Sequence, residues 1–371
     1  MTNLLYGADE EALRDSLRAL LATHAPWRRT LARLDGDEPY DPVLWARLTG
    51  QLGVAGLPVP EEHGGAGAGF REVAVVLEEL GRAVAPVPFL GSAVVATRAL
   101  LACGEVDLLG QLATGRHTAA LAVPFATAPD ARPYAVEVAP GPALAGTVTG
   151  VADALPADLL LVPAGDGLHA VDARGPGVRM TPVVSLDPTR PLCDIVFSGA
   201  PARRIAAGAA ASRAVGEALT AGAALLASEQ VGVAQWCLDT TVGHVRNRHQ
   251  FGRPIGSFQA LKHRLADVWV ELSQARAVAR YAADCLAAGD PDTALAAALA
   301  QAHCAAVAVS AAETCVQLHG GLGFTWEHPA HLYLKRAKAG TIAFGAADRH
   351  RAALARLADL PAPARVPGVG S

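Results

Sequence analysis

Residues 244–263 read HVRNRHQFGRPIGSFQALKH and hold the side chains best suited to gripping an anion. Arg248 offers a planar fork of N–H donors that matches phosphate oxygens. Phe251 supplies an aromatic face, Gln250 lies beside it, and Gln259 places an amide eleven residues beyond the arginine. The turn GRPIG, Gly252 to Gly256, breaks one long helical pattern from the next. Taken alone, the stretch is equally a helix hairpin with a solvated arginine. A second segment, QLHGGLGF from Gln317 to Phe324, has glycines at 320, 321 and 323. Glycines there let backbone come close to a ligand.

The elements that must position these residues follow from texture. From residue 8 to about 115 the pattern is helical: Asp9, Glu10 and Glu11 open an amphipathic run, and Leu44, Leu48 and Leu52 recur on one face. Loop chemistry interrupts it at Val59–Gly67, and helical runs resume over Phe70–Leu80 and Ser92–Leu101. Near 118 the runs shorten to TAALAVPFA, YAVEVA, ADLLLVPAG and CDIVFSG, separated by Pro, Gly and Asp. This texture predicts a small antiparallel β domain over 118–205. A long Ala-rich helical pattern follows over 207–247, and Asp290-Pro291-Asp292 marks another helix start. The expected division is 1–117 helical, 118–205 β, 206–359 a four-helix bundle, and 360–371 a disordered tail. The Ala-rich patterns 207–247 and 292–318 are apolar over a broad surface, which predicts a large helical interface with another subunit.

Composition narrows the function classes. With 51% hydrophobic residues and a net charge of −4, nothing points to nucleic acid or an anionic membrane surface. The six cysteines show no Cys-x-x-Cys spacing and several lie in apolar runs, as in a reduced, cytoplasmic protein without a metal site. The N-terminus lacks the apolar core of a signal peptide, and no unbroken apolar run demands a membrane span.

The two segments, in this order and spacing, resemble the C-terminal domain of the acyl-CoA dehydrogenase family; GLPVPEEHGGAG (Gly56–Gly67) and VLEELGRAVAP (Val76–Pro86) resemble its N-terminal domain. The resemblance implies an α+β fold of N-terminal helices, a central β domain and a C-terminal bundle. It also implies FAD as cofactor and α,β-desaturation of an acyl-CoA thioester, with electron-transfer flavoprotein as acceptor. A carboxylate takes the α-proton while the β-hydrogen leaves as hydride to the flavin. In the family's dimers the Arg-x-x-Phe-Gly unit, the later Gln and the Gln-x-x-Gly-Gly loop reach across to the neighbouring subunit's FAD. The residues matching that set are Arg248, Gln250, Phe251, Gln259, Gln317, Leu318, His319, Gly320 and Gly321.

Other parts of the family pattern are missing. Where many members carry the catalytic Glu of a Tyr-Glu-Gly-Thr motif, this chain reads TIAFGAAD, with Phe344 in the Glu position. Relatives that carry the Glu on the helix before the Arg-x-x-Phe-Gly unit have it at the place of Gly222. Glu229, seven residues on, shares that face but sits roughly 10 Å further along the axis; it is the best candidate for an unusual base. The family's Thr-Glu-Pro and Trp-x-Thr flavin contacts align with AVPFATAPDA and GTVTGVADALPAD, with Gly150 and Ala152 at the Trp and Thr places. The usual Gly-Thr-x-Gln has become Gly345-Ala346-Ala347-Asp348, whose carboxylate would repel phosphates.

The pattern looks like that of base-less subunits in heteromeric actinobacterial dehydrogenases acting on steroid side-chain CoA thioesters. FTWEHPAHLYLKRAKAG (Phe324–Gly340) shares their look, with Lys335-Arg336 where Arg-Asp is usual; a solvated basic face would read the same way. The resemblance thus implies no catalytic residue here, and a homologous partner that carries the Glu, assembled as a heterotetramer. Two other readings stay open: a self-sufficient dehydrogenase with Glu229 or another unusual base, and a non-redox binding or scaffold protein on the same fold.

Overall fold

The computed structural model describes residues 4–360 apart from 35, 37, 39, 133–134 and 140–142. The expected tail therefore lies, Leu360 excepted, outside the described residues. Among the described residues six α-helices come first: α1 (Ala8–His24), α2 (Trp27–Leu34), α3 (Pro42–Leu52), α4 (Phe70–Ala83), α5 (Thr97–Cys103) and α6 (Val106–Ala113). Sequence explains their ends. The Asp41 carboxylate caps α3 by accepting from Leu44 N–H at 2.9 Å, Pro42 occupies the first turn, and Gly53 ends the helix in the left-handed region. Ahead of α5 the run Phe89–Ala96 is π-helical, a wider winding often found beside functional sites.

Eight strands follow: β1 (Ala119–Leu121), β2 (Val136–Ala139), β3 (Ala143–Ala152), β4 (Leu159–Ala164), β5 (Gly167–Asp172), β6 (Val178–Val183), β7 (Leu192–Pro201) and β8 (Arg203–Ala207). They pair in the order β6-β7-β3-β2-β4-β5-β8, with β1 also against β4. The sheet is mixed, which corrects the antiparallel expectation: β1 runs parallel to β4, and Val136 of β2 pairs parallel with Ala164. A period of two reports alternation of faces and is blind to strand direction, which the long connections decide. The interior of the sheet has its own small core around Leu144, Val148, Leu160, Ile195 and Phe197.

Helices α7 (Gly208–Asn247), α8 (Gln259–Ala288) and α9 (Thr293–His319) form the C-terminal bundle, closed by the short α10 (Ala330–Gly340) and α11 (Ala347–Leu357). The fourth side of the bundle is thus two short helices. Both helical domains share one continuous core. Backbones touch where α4 crosses α7: a Cβ at Gly232 would collide with the Glu78 carbonyl oxygen.

The apolar surfaces of α7 and α9 are consumed inside the chain, so they do not form the broad outer face expected of them. By length and composition α9 could cross a bilayer, yet 61% of its apolar stretch is buried against other elements. Exposed apolar groups of the C-terminal domain include Phe251, Trp269, Val270, Phe324, Trp326 and Ile342.

Candidate functional site

The β1 end, the β3 end, the π-helical run, α7 and Phe344 converge on one cavity. It is lined by Leu90, Gly91, Leu121, Phe125, Asp153 and Phe344, among others, and holds about 30 Å³. That is room for one or two waters. Phe344 fills the space. Its ring meets Phe125 edge-on at a centroid distance of 5.5 Å, and a Cβ added at Gly222 would lie 2.6 Å from Phe344 Cζ. Gly222 is therefore complementary to Phe344: the two candidate base positions pack against each other as ring and gap.

Phe344 is held firmly for a residue in an unfavourable backbone state, φ +54°. Its N–H donates to the Phe125 carbonyl at 2.8 Å, and its own carbonyl accepts from His350 Nε2 at 2.9 Å. The loop after β3 is tied down equally. Asp153, also at positive φ, accepts from the Tyr40 hydroxyl and from Gly91 N–H, both at 2.8 Å. Burial raises the proton affinity of both Asp153 and Tyr40. After β1, Asp130 accepts from Arg349 at 2.7 Å and Arg356 at 3.1 Å, clamping its loop to α11. Burial works against its charge, but these guanidiniums outweigh it and hold the carboxyl below its usual range.

Glu229 does not serve this cavity. It is 4% exposed and sits in a buried charge knot. Arg190 forks onto it at 3.1 and 2.5 Å, and Arg336 reaches it at 3.4 Å. Arg336 also meets Asp187 at 3.1 Å and donates to the Thr189 carbonyl at 3.1 Å. Burial would raise the Glu229 proton affinity, but the two guanidiniums win and lower it. A carboxylate locked charged between two cations is a poor proton acceptor. This removes Glu229 as the unusual base. Arg336 is also buried, so half of the Lys335-Arg336 pair belongs to the core and not to a solvated face; Lys335 instead lies 5.1 Å from the Trp326 ring centroid.

The second set of residues is open. Arg248, Gln250, Phe251, Gln259, Gln317, Gly320 and Gly321 are exposed, Leu318 is half-buried and His319 is buried. Arg248 ends α7; Gln250 and Phe251 follow in a tight hairpin, closed by pairing of Arg253 with Gln250. Phe251, 88% exposed, meets Phe258 edge-on, and the Arg253 guanidinium lies 4.0 Å from the Phe258 ring centroid. Two contacts tie the helices flanking this hairpin, α7 and α8, to α9. Arg264 Nε on α8 donates to Thr314 Oγ1 on α9 at 3.3 Å, and the His244 ring stacks on His319 at 4.3 Å. His319 thus supports the loop from beneath. Arg190 and Asp187 lie in no motif, and His244, His328 and Asp153 carry no assigned role in theirs; all five acquire partners only through folding.

Two family models match the chain: the acyl-CoA dehydrogenase N-terminal domain over residues 7–109 and the C-terminal domain over residues 212–358. The acyl-CoA dehydrogenase IpdE2 of Mycobacterium tuberculosis is 38% identical over 331 residues, covering 89% of this chain and 91% of that protein. The chain belongs to the acyl-CoA dehydrogenase family. IpdE2 of Mycolicibacterium smegmatis is similar at 37% identity, covering 89% of this chain and 92% of that protein. Among solved structures, the Tcur3481–Tcur3483 steroid ACAD superposes with a TM-score of 0.84 at 31% identity, over 96% of this chain and 99% of that one. The ChsE4–ChsE5 complex from Mycobacterium tuberculosis gives 0.86 at 28% identity, over 97% of this chain and 100% of that one.

The family is one of FAD-dependent oxidoreductases. The cavity closed by Phe344 and Phe125, at about 30 Å³, has no room for a flavin ring. The exposed set carries donor types suited to phosphate: the Arg248 fork, the glutamine amides and the glycine backbone.

Proposed function

We propose that this chain is the base-less subunit of a heteromeric acyl-CoA dehydrogenase. It completes the FAD site of a homologous partner that carries the catalytic Glu. The observation that carries the reading is an asymmetry within one molecule. The place for a base and a flavin ring is plugged by Phe344 against Gly222 and Phe125, while Arg248, Gln259, Gln317, Gly320 and Gly321 stand exposed. Filling a site with an aromatic ring while leaving anion donors uncovered fits a donor of contacts in trans.

The similar solved structures include a steroid ACAD and a two-protein complex. The substrate is accordingly the CoA thioester of a steroid side chain, the assembly a heterotetramer in the cytoplasm, and the electron acceptor an electron-transfer flavoprotein. Arg248, Gln250, Phe251, Gln259 and the segment 317–321 form the contributed half-site. In the working site the partner supplies the base; this chain's residues bind and orient the phosphates and exclude water there.

The test is to purify the chain alone, and then together with a candidate base-bearing homologue. Flavin absorbance and thioester desaturation are expected only from the pair. Bound flavin and turnover by the chain alone would overturn the reading in favour of a self-sufficient enzyme. A pair that forms without flavin would favour a non-redox scaffold.

A further inference from the structure

We propose that the stacked imidazoles of His244, His319 and His328 position the Gly320–Gly321 loop and make its seating, and so its hold on a partner's cofactor, sensitive to pH. The second half of this statement rests on the half-site reading above.

The three rings come from three elements. His244 lies on α7 one turn before Arg248, His319 is the last residue of α9, immediately before Gly320, and His328 lies in the connection to α10. His244 and His319 stack at 4.3 Å, His319 and His328 at 4.1 Å, with the ring pairs tilted by 33° and 32°. The ladder continues from His328 to Trp236 at 6.1 Å, and Trp236 lies flat on Tyr333 at 3.6 Å. The Tyr333 hydroxyl donates to the Arg82 carbonyl at 2.7 Å, which anchors the far end on α4. The exposed glycine loop therefore stands on a column of rings rooted in the N-terminal domain.

Such a column tolerates few charges. The His319 ring packs its Nδ1 against the Cys315 carbonyl at 2.7 Å and lies 3.6 Å from the Cys315 thiol. Hydrogen bonding from Cys237 holds that thiol down to about 5, against the opposing effect of burial. Burial alone would lower the proton affinity of His319; its bonds to Cys315 prevail and raise it. His319 is thus the ring that takes the first proton. Its neighbours resist a second. Burial and then the charges of His319, His244 and His331 push His328 down to about 4. The His328 Nδ1 also accepts from Ala330 N–H at 3.3 Å, a bond that a proton there would break. Burial, His319 and Arg248 lower His244. The groups facing the column are thus Arg248 at the end of α7, Cys237 on α7, Cys315 on α9, and His331 and Tyr333 on α10, with Lys335 behind His331 and Arg82 behind Tyr333.

The direction follows by linkage. His244 and His328 bind protons less well when stacked than at the ordinary value of 6.5. Their contribution to the seated loop is present above that value and is lost as pH falls. His319 works in the opposite sense, favouring the seated loop as pH falls. Values of 6.5 released and about 4 stacked make opening roughly twenty-fold easier at pH 5 than at pH 7 for His328 alone. His319 opposes this change, and His244 adds to it.

The test uses the full chain. Hydrogen exchange of residues 317–324, corrected for intrinsic rates, is measured at pH 7 and pH 5, with imidazole titrations by NMR. Protection in the wild type is expected to fall from pH 7 to pH 5, with the His328 contribution roughly twenty-fold. His328→Phe keeps a ring in the column but no titrating nitrogen, and is expected to flatten the profile. His328→Gln, whose amide oxygen can still accept from Ala330, serves where the Phe variant does not fold. Equal protection at both pH values, an ordinary His328 titration near 6.5, or a non-titrating variant that keeps the wild-type profile would each overturn the proposal. Flavin retention by the assembled pair is then followed over the same pH range, with Arg248→Ala as a control. Retention that tracks loop protection supports the coupling. If Arg248→Ala retains all its flavin while loop exchange still follows pH, the half-site reading fails and the ring column stands.

Discussion

Glu229→Gln is the substitution that separates a structural carboxylate from a catalytic one. The wild-type knot sets Arg190 and Arg336 against Glu229 and Asp187, and all four are at most 7% exposed. Glutamine keeps the shape but removes one negative charge, leaving the two guanidiniums with Asp187 and the more distant Asp153. Breaking a buried pair by removing one partner costs about 3–5 kcal/mol. Arg336 retains Asp187 and the Thr189 carbonyl, so the lower end, about 3 kcal/mol, is expected. At about 2–4 °C per kcal/mol for large domains, Tm should fall by roughly 6–12 °C. The measurement is denaturant and thermal unfolding at fixed protein concentration, with flavin content and turnover of the assembled pair at 20 °C or so below the new Tm. The folded proton affinity of Glu229 is depressed, so its stabilisation is complete above the ordinary 4.5 and fades as pH falls through the folded value. The gap between wild type and variant should therefore be constant near neutrality and close only below about pH 4.5. A Glu229→Gln protein as stable as wild type but devoid of turnover would refute the structural assignment and restore Glu229 as a base.

Arg248→Ala should weaken flavin retention by the assembled pair about ten- to a hundred-fold, since a hydrogen bond to a charged group is worth about 1.5–3 kcal/mol; flavin content against dilution reads this out. Phe344→Glu should yield no active homo-oligomer, and should lose stability by burying a carboxylate against Phe125 and Gly222; an active, flavin-bearing product would contradict this. Gly222→Ala should cost about 1–3 kcal/mol by overpacking, because its Cβ would meet the Phe344 ring at 2.6 Å. Combining it with Phe344→Leu should recover part of that loss, and strict additivity in unfolding experiments would disprove the ring-and-gap pairing.

Much of the molecule could be read from its sequence. The order of helices, strands and helices follows from local periodicity, which reports which faces must be buried. That Phe344 stands where many family members carry Glu, and that Arg248, Gln259 and the Gln317–Gly321 segment match the family pattern, are statements about residue type and need no coordinates. Tertiary structure decided what these residues touch. Strand direction in the sheet, mixed instead of antiparallel, depends on how long connections run in space. Glu229 read as a candidate base because its partners stand 39 and 107 residues away. Arg336 read as a surface cation for the same reason, and the broad apolar faces of α7 and α9 turned inward against each other. His319 belonged to the motif, but His244 and His328 became its neighbours only when three elements met. Local sequence determines what a residue can do chemically, whereas its charge state and accessibility depend on dielectric and distance, and both are set by chain segments far away in sequence.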